Sequence, residues 1–268
     1  MNIWKNTSTL DGFDLGLNFT KSKNNAEIIL LGSKIFDLDE FPKLKAVFRA
    51  GVGKENVPEI EARNKGIIVR FPSKETMNVL FEETAHYTCG LILRMLYSNI
   101  GSIEPWLKES RRKLSTKKLL VIGTGNIGNR VISLMNNFMT VMTFDILKNR
   151  NSQLKPLMEQ ADCVSIHIPM NDHNLSFING EKLSWMKEGS TIINTARGAI
   201  IDENALYLEI KNNRLKAAFD VYWDEPYVGK LKEFHPDKFL MTPHVASTCD
   251  EFLIGCRKDL DVLIKEFD

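Results

Sequence analysis

The chain has 268 residues, 43% of them hydrophobic, which is enough for one large or, more in keeping with the usual domain size, two modest cores. Thirty-five Lys and Arg stand against 34 Asp and Glu, so there is no excess positive field of the kind that nucleic acids or membrane surfaces select, and a small neutral or anionic partner is the more natural one. No stretch approaches the ~18 apolar residues of a membrane span.

The N-terminal "MNIWK" lacks the basic-then-apolar pattern of a signal peptide. Cys89, Cys163, Cys249 and Cys256 form no CxxC pair and sit in apolar surroundings, so reduced thiols in a cytoplasmic protein are expected, with no metal site.

In chain order, the first 25 residues are polar and irregular, with "NTSTLDG" and "TKSKNN" reading as loops. The first clear strand is "AEIILLGS" (Ala26 to Ser33), followed by "LKAVFRAGVG" from Leu44, a helical "IEARNKG" and the strand "IIVRFP". This alternation predicts a small parallel α/β unit. A long helical pattern starts near Phe81, and the mixed-charge run "EPWLKESRRKLSTKK" after it reads as a solvated linker or helix face at a domain crossing. Beyond it come a strand at Leu119 to Ile122, a glycine-rich turn, a helix over Asn129 to Phe138 and a strand over Val141 to Phe144. Further strands follow at "DCVSIHIP", "STIINTAR", "LKAAFDVY" and "KFLMTPHV", with helices "GEKLSWMK" and "DENALYLEIKNN" between the first three. The pattern is that of a doubly wound parallel sheet.

The turn Gly123-Thr124-Gly125-Asn126-Ile127-Gly128 follows a strand and opens a helix, and Asp145 ends the next strand 17 positions after Gly128. A glycine-rich turn alone is weak evidence, because such turns also serve purely structural ends; the whole context is specific for a dinucleotide. Gly123 permits a tight turn, Gly125 lets the backbone approach a pyrophosphate, and Gly128 lets helix and strand pack closely, with the helix N-terminus facing the phosphates. Asp145 can accept hydrogen bonds from the ribose hydroxyls and favours NAD over NADP, although Lys148 and Arg150 follow close behind.

Ligands of such sheets bind beyond the carboxyl ends of the strands. There the sequence puts Arg197 after "IINTA", Glu225 after "AAFDVY" and His244 after "LMTP". On position alone Arg197 is equally consistent with a surface salt bridge. Together, a carboxylate binder, an acid and an imidazole suit acid/base chemistry on an anionic substrate.

The segments "RAGVGKENV", "VIGTGNIGNRV", "SIHIP", "NTARGAIIDENAL", "AAFDVYWDEP" and "TPHVAS" resemble, in order, those of the D-isomer-specific 2-hydroxyacid dehydrogenase family. The resemblance implies a Rossmann doubly wound parallel domain, residues 98–245, inserted into a smaller flavodoxin-like α/β substrate domain, residues 1–97 completed by 246–268. It implies catalysis by Arg197, Glu225 and His244, with substrate held also by the backbone of Gly51, Val52 and Gly53. NAD contacts are expected at Gly123, Gly125, Asn126, Ile127, Gly128, Asp145, His167, Pro169, Thr195, Ala196 and Asp220. The expected partner is a small 2-hydroxy or 2-oxo acid such as 3-phosphoglycerate, glyoxylate or hydroxypyruvate, and the expected assembly a homodimer. Arg70, Lys74 and Lys54 are candidates for a substrate phosphate.

In the implied mechanism His244 exchanges the hydroxyl proton, Glu225 orients His244 and favours its charged form, and Arg197 binds and polarises the substrate. The family also resembles NAD-dependent corepressors, and formate and phosphite dehydrogenases. An NAD-sensing binding protein without turnover is therefore the alternative, while the Glu225 position argues against formate. Four departures from the family pattern stand out: no opening strand and helix before Ala26, so that a reduced substrate domain is expected, "PSKETMN" in place of a loop of small residues and asparagine, Cys249 for Thr or Ser, and Asn174 for Thr.

Overall fold

Four fully buried apolar residues in a row, Ile28-Ile29-Leu30-Leu31, need cover on both sides, and a strand provides it by pointing alternate side chains to opposite faces of a sheet. The same need recurs throughout the computed structural model, which describes residues 1–267. In chain order the elements are β1 (Asn2–Lys5), β2 (Asn18–Phe19), β3 (Ile28–Leu31), β4 (Ala46–Arg49), α1 (Glu59–Asn64), β5 (Ile68–Arg70) and α2 (Lys74–Leu96). Then come β6 (Gly101–Ser102), β7 (Leu107–Lys108), β8 (Lys118–Ile122), α3 (Asn126–Met135), β9 (Thr140–Phe144), α4 (Leu154–Gln160) and β10 (Cys163–Ile166). The last are α5 (Gly180–Ser184), β11 (Ser190–Asn194), α6 (Glu203–Lys211), β12 (Leu215–Phe219), β13 (Phe239–Met241) and α7 (Asp250–Lys265). The chain divides within α2 into two units, residues 1–83 with the segment from Ser247 onward, and Thr84–Ala246.

In the first unit five parallel strands run in the order β2-β1-β3-β4-β5, the 2-1-3-4-5 order of flavodoxin-like sheets. Ile28, Leu30, Ala46 and Phe48 pack on one face with Leu80 of α2 and Phe252, Cys256 and Leu260 of α7. Ile29, Leu31 and Val47 pack on the other with Ala62 of α1. The first 25 residues, expected to be irregular and without an opening strand, contain β1 and β2, which lie outside the two stretches read as loops, so the expected reduction of this unit is corrected. Ile3 is the only fully buried residue of β1, so it carries no apolar run; its place between β2 and β3 supplies the hydrogen bonds that make it a strand. Helix α2 begins at Lys74, well before the expected Phe81, because Ser73 Oγ accepts from the Thr76 N–H (3.3 Å). Asp259 Oδ2 of α7 then accepts from Ser73 N and Thr76 Oγ1, both at 2.8 Å.

In the second unit six parallel strands run in the order β13-β12-β11-β10-β8-β9. The order reverses at β8, which has β9 on one side and β10 on the other, and this is the switch point of a Rossmann-like sheet. Leu120, Ile122, Val164, Ile166, Ile192 and Phe219 cover one face. Leu119, Val121, Cys163, Ile193 and Ala218 meet Val131 and Met135 of α3 and Ile92 and Met95 of α2 on the other. The charged run expected as a linker, Glu104 to Lys118, contains β7, which pairs antiparallel with β6 just before the run; Gly101 of β6 has φ +95°, and a Cβ there would strike the Leu107 carbonyl.

Candidate active site

The turn from β8 into α3 needs its glycines for three separate reasons. Gly123 has φ +96°, and a Cβ there would collide with the His167 carbonyl at the end of β10. A Cβ on Gly128 would collide with the Gly123 carbonyl, so helix and turn close up only without a side chain. Around Gly125 nothing lies within 4 Å of the Cβ position, which leaves open space beside the helix N-terminus. Helix α3 starts at Asn126, inside the glycine motif and not at Asn129 as expected; its first helical hydrogen bond runs from Asn129 N to Gly125 O (3.0 Å). The N–H groups of Asn126, Ile127 and Gly128 precede that bond and face outward at the positive end of the helix, a fit for a pyrophosphate.

Asp145 follows β9 at the expected place. Its Oδ2 accepts from Thr124 N (2.9 Å) and Thr124 Oγ1 (2.7 Å), and its Oδ1 from Leu147 N (3.0 Å). Burial raises this carboxyl, but the Thr124 and Leu147 hydrogen bonds and the charge of Lys148 outweigh it and hold the group below the usual Asp range. His167, also at the switch point, hydrogen bonds Ser165 Oγ through Nε2 (2.8 Å), and burial pushes its imidazole down to about 4, so it is neutral near pH 7. Pro169 is exposed beyond it, and its carbonyl accepts from Asn174 Nδ2 (2.7 Å); the asparagine in place of the family's threonine thus ties this loop by its amide.

Arg197 lies three residues past β11, partly buried. The turn that carries it is built by Asn194, fully buried, whose Oδ1 accepts from Ala196 N (3.0 Å) while its Nδ2 donates to Arg197 O (2.8 Å). Arg197 Nη1 donates to the Ala196 carbonyl (2.7 Å). The adjoining Thr195 is buried, its hydroxyl paired with Thr88 of α2 at 2.8 Å. Gly198 has no room for a Cβ, which would strike the backbone of Tyr222 and Trp223; this binds the Arg197 turn to the loop that carries Glu225.

That loop and the one after β13 bring together the acid and the imidazole. His244 Nδ1 lies 2.8 Å from Glu225 Oε2, with side-chain exposures of 36% and 29%, so the pair is held yet reachable. Glu225 Oε1 accepts from Tyr222 N (3.2 Å). Burial raises the Glu225 carboxyl, but the hydrogen bond and charge of His244, the Tyr222 N–H and the charge of Arg197 outweigh it and hold the group ionised below the usual Glu range. The three side chains therefore share one electrostatic neighbourhood.

His244 has φ +55°, a conformation that a non-glycine residue keeps only when its surroundings fix it. They do so through Asp220, expected as a cofactor contact and found fully buried. Its Oδ1 accepts from Thr242 Oγ1 (2.6 Å) and Val245 N (2.9 Å), and its Oδ2 from Ala246 N (2.8 Å), so it grips the loop on both sides of the histidine. The Tyr222 hydroxyl adds a second clasp, donating toward the carbonyls of Phe219 and Thr242 (2.9 Å each) and lying 3.0 Å from Thr242 N. Sequence reasoning missed Asn194, Tyr222 and Thr124. A polar residue in an otherwise apolar strand end was the one signal for Asn194.

In the first unit, Gly51-Val52-Gly53 follows β4. Arg49, buried at 5% exposure, donates from Nε to Gly53 O (3.2 Å) and from Nη1 to Leu31 O (3.4 Å), and a Cβ on Gly51 would lie 2.8 Å from its Nη1. An arginine closing an apolar strand was the visible sign of it. Of the cations offered for a phosphate, Arg70 pairs with Glu266 (3.1 Å) and Lys54 with Glu59 (3.3 Å), whereas Lys74 is exposed at the start of α2.

A glycine turn at the switch point of a parallel sheet, with an acid-imidazole pair and an arginine on later strand ends, defines a dinucleotide-dependent α/β enzyme. Residues 101–246 match the model for the D-isomer specific 2-hydroxyacid dehydrogenase, NAD binding domain. The chain is 31% identical over 227 residues to a hydroxypyruvate reductase of Thermotoga maritima, covering 78% of this chain and 72% of that protein. It is 30% identical over 238 residues to a D-3-phosphoglycerate dehydrogenase of Methanocaldococcus jannaschii, covering 80% of this chain but 44% of that one. Among solved structures, a D-lactate dehydrogenase from Aquifex aeolicus, complexed with NAD and lactic acid, superposes with a TM-score of 0.80 at 25% identity, covering 100% of this chain and 95% of that one. The chain belongs to the D-isomer-specific 2-hydroxyacid dehydrogenase family and is an NAD-dependent oxidoreductase. Among the described residues no helix is long and apolar enough to cross a membrane, and no cluster of His, Cys, Asp and Glu could hold a metal ion.

Proposed function

We propose that this chain interconverts a small, unphosphorylated 2-oxo acid and its 2-hydroxy acid, of D configuration where C2 is chiral, with hydroxypyruvate and glyoxylate as the expected oxo acids. The observation that carries this reading is the 2.8 Å pair between His244 Nδ1 and Glu225 Oε2, close enough to Arg197 for its charge to act on Glu225. NAD supplies the hydride acceptor or, when reduced, the donor. In reduction His244, held by Glu225 through Nδ1, gives a proton from Nε2 to the carbonyl oxygen of the substrate; in oxidation it takes that proton back. Arg197 binds the carboxylate and polarises the reacting oxygen. In the first unit the backbone of Gly51-Val52-Gly53, braced by Arg49, is a proposed substrate contact.

On this reading the second unit, residues 84–246, binds NAD and the first, residues 1–83 with the segment from Ser247 onward, binds substrate, which moves the expected boundary at 97/98 into α2. Asn126, Ile127 and the glycines hold the pyrophosphate and Asp145 the ribose, while His167, Pro169, Thr195, Ala196 and Asp220 shape the remainder of the cofactor site. Against a phosphorylated substrate, Arg70 and Lys54 already have acidic partners. A homodimer is the proposed assembly.

The test is a screen of 2-oxo acids, phosphorylated and not, for oxidation of NADH. Turnover of hydroxypyruvate or glyoxylate is expected, with Arg197→Ala and His244→Ala each lowering kcat/KM by at least ~100-fold. Near-normal turnover in either variant would refute the assigned roles. Nucleotide binding with no oxidation of NADH by any acid would favour the NAD-sensing alternative.

A further inference from the structure

An ionised carboxylate offers about four acceptor positions. In Asp145 three are used within the protein, two by Thr124 at Oδ2 and one by Leu147 N at Oδ1. A single position remains, on Oδ1, which suits one ribose hydroxyl and not the adjacent pair. Beside it Lys148, exposed, donates from Nζ to Thr124 Oγ1 (2.8 Å). An ammonium has three donors and this bond takes one, so a positive charge with two further N–H groups stands next to the carboxylate that would otherwise repel a phosphate.

We propose that Thr124 and Lys148 make the adenosine end of the site tolerant of a 2′-phosphate, so that the protein binds NADPH as well as NADH. This rests on the reading of the glycine turn as the NAD site. Thr124 diverts one whole edge of Asp145 away from the ribose, and Lys148 both offsets the charge of the carboxylate and offers donors to phosphate oxygens. Arg150, also exposed, lies two residues further on.

Titration of the protein with NADH and with NADPH, without substrate, and followed by nucleotide fluorescence, gives both dissociation constants independently of turnover. The two are expected to agree within about thirtyfold in the wild type. Lys148→Met should cost NADPH about tenfold relative to NADH, and Thr124→Val, which frees one position on Asp145, should shift the ratio toward NADH as well. A wild-type gap wider than that thirtyfold, or variants that leave the ratio unchanged, would overturn the proposal and leave the dinucleotide site standing. Binding of neither nucleotide would overturn both.

Discussion

Replacing Asp220 by asparagine exchanges one carboxylate oxygen for an NH2 group with almost no change in volume, and it should cost the protein both stability and turnover. The carboxylate has no exposed surface and accepts from three donors, Thr242 Oγ1, Val245 N and Ala246 N. An amide has one oxygen. With that oxygen in the place of Oδ1, its NH2 faces the Ala246 N–H; with it in the place of Oδ2, the NH2 faces both Thr242 and Val245. The better choice still leaves one buried donor against another, a penalty of about 1–3 kcal/mol, and weakens the two remaining bonds by removing their charge. Burial itself raises the Asp220 carboxyl, so losing the charge returns part of this. The net loss is about 3 kcal/mol, which in a protein of this size lowers Tm by about 6–12 °C. Because His244 sits between two of the gripped residues at φ +55°, kcat should fall at least tenfold even at temperatures where the variant is folded. Calorimetry and steady-state kinetics at 25 °C would check both. A variant melting within 2 °C of the wild type with unchanged kcat would show that Asp220 does not hold the histidine loop.

Gly198→Ala forces a methyl group against the backbone of Tyr222 and Trp223, so kcat/KM should drop ~100-fold as the Arg197 turn and the Glu225 loop separate; a circular dichroism spectrum would establish that the variant is folded. Arg197→Lys keeps the charge and loses the fork, and should lower kcat/KM by about tenfold to a hundredfold with the substrate KM rising, read from initial rates. His167 is half-buried, with its imidazole down at about 4, so between pH 6.5 and 4 the unfolded chain binds a proton that the folded chain does not. Stability should therefore decline as pH falls through that window, by about 2 kcal/mol after allowing for the part of the ring that water reaches, and His167→Gln should flatten that slope in urea titrations across the range.

The sequence by itself determined the main strands from Ile28 onward and the family to which the chain belongs. The apolar runs at Ile28-Leu31, Leu119-Ile122 and Ser190-Asn194 have to be strands covered on both faces, and the Gly123 to Gly128 turn followed by Asp145 has to present a helix N-terminus, because these are consequences of local period and of glycine's freedom. Only the tertiary structure decided what holds the chemistry in place. β1 is a strand because β2 and β3 flank it, and α2 starts at Lys74 with Asp259 bound at its N-terminus, almost two hundred residues away in sequence. The grip of Asp220 on the Thr242 to Ala246 loop spans more than twenty residues, and the sharing of Asp145 between Thr124 and any ribose depends on how β8 and β9 lie side by side. Periodicity and turn chemistry act between near neighbours. A buried hydrogen bond between distant residues depends on where the folded chain puts its donor, and no short stretch of sequence contains that information.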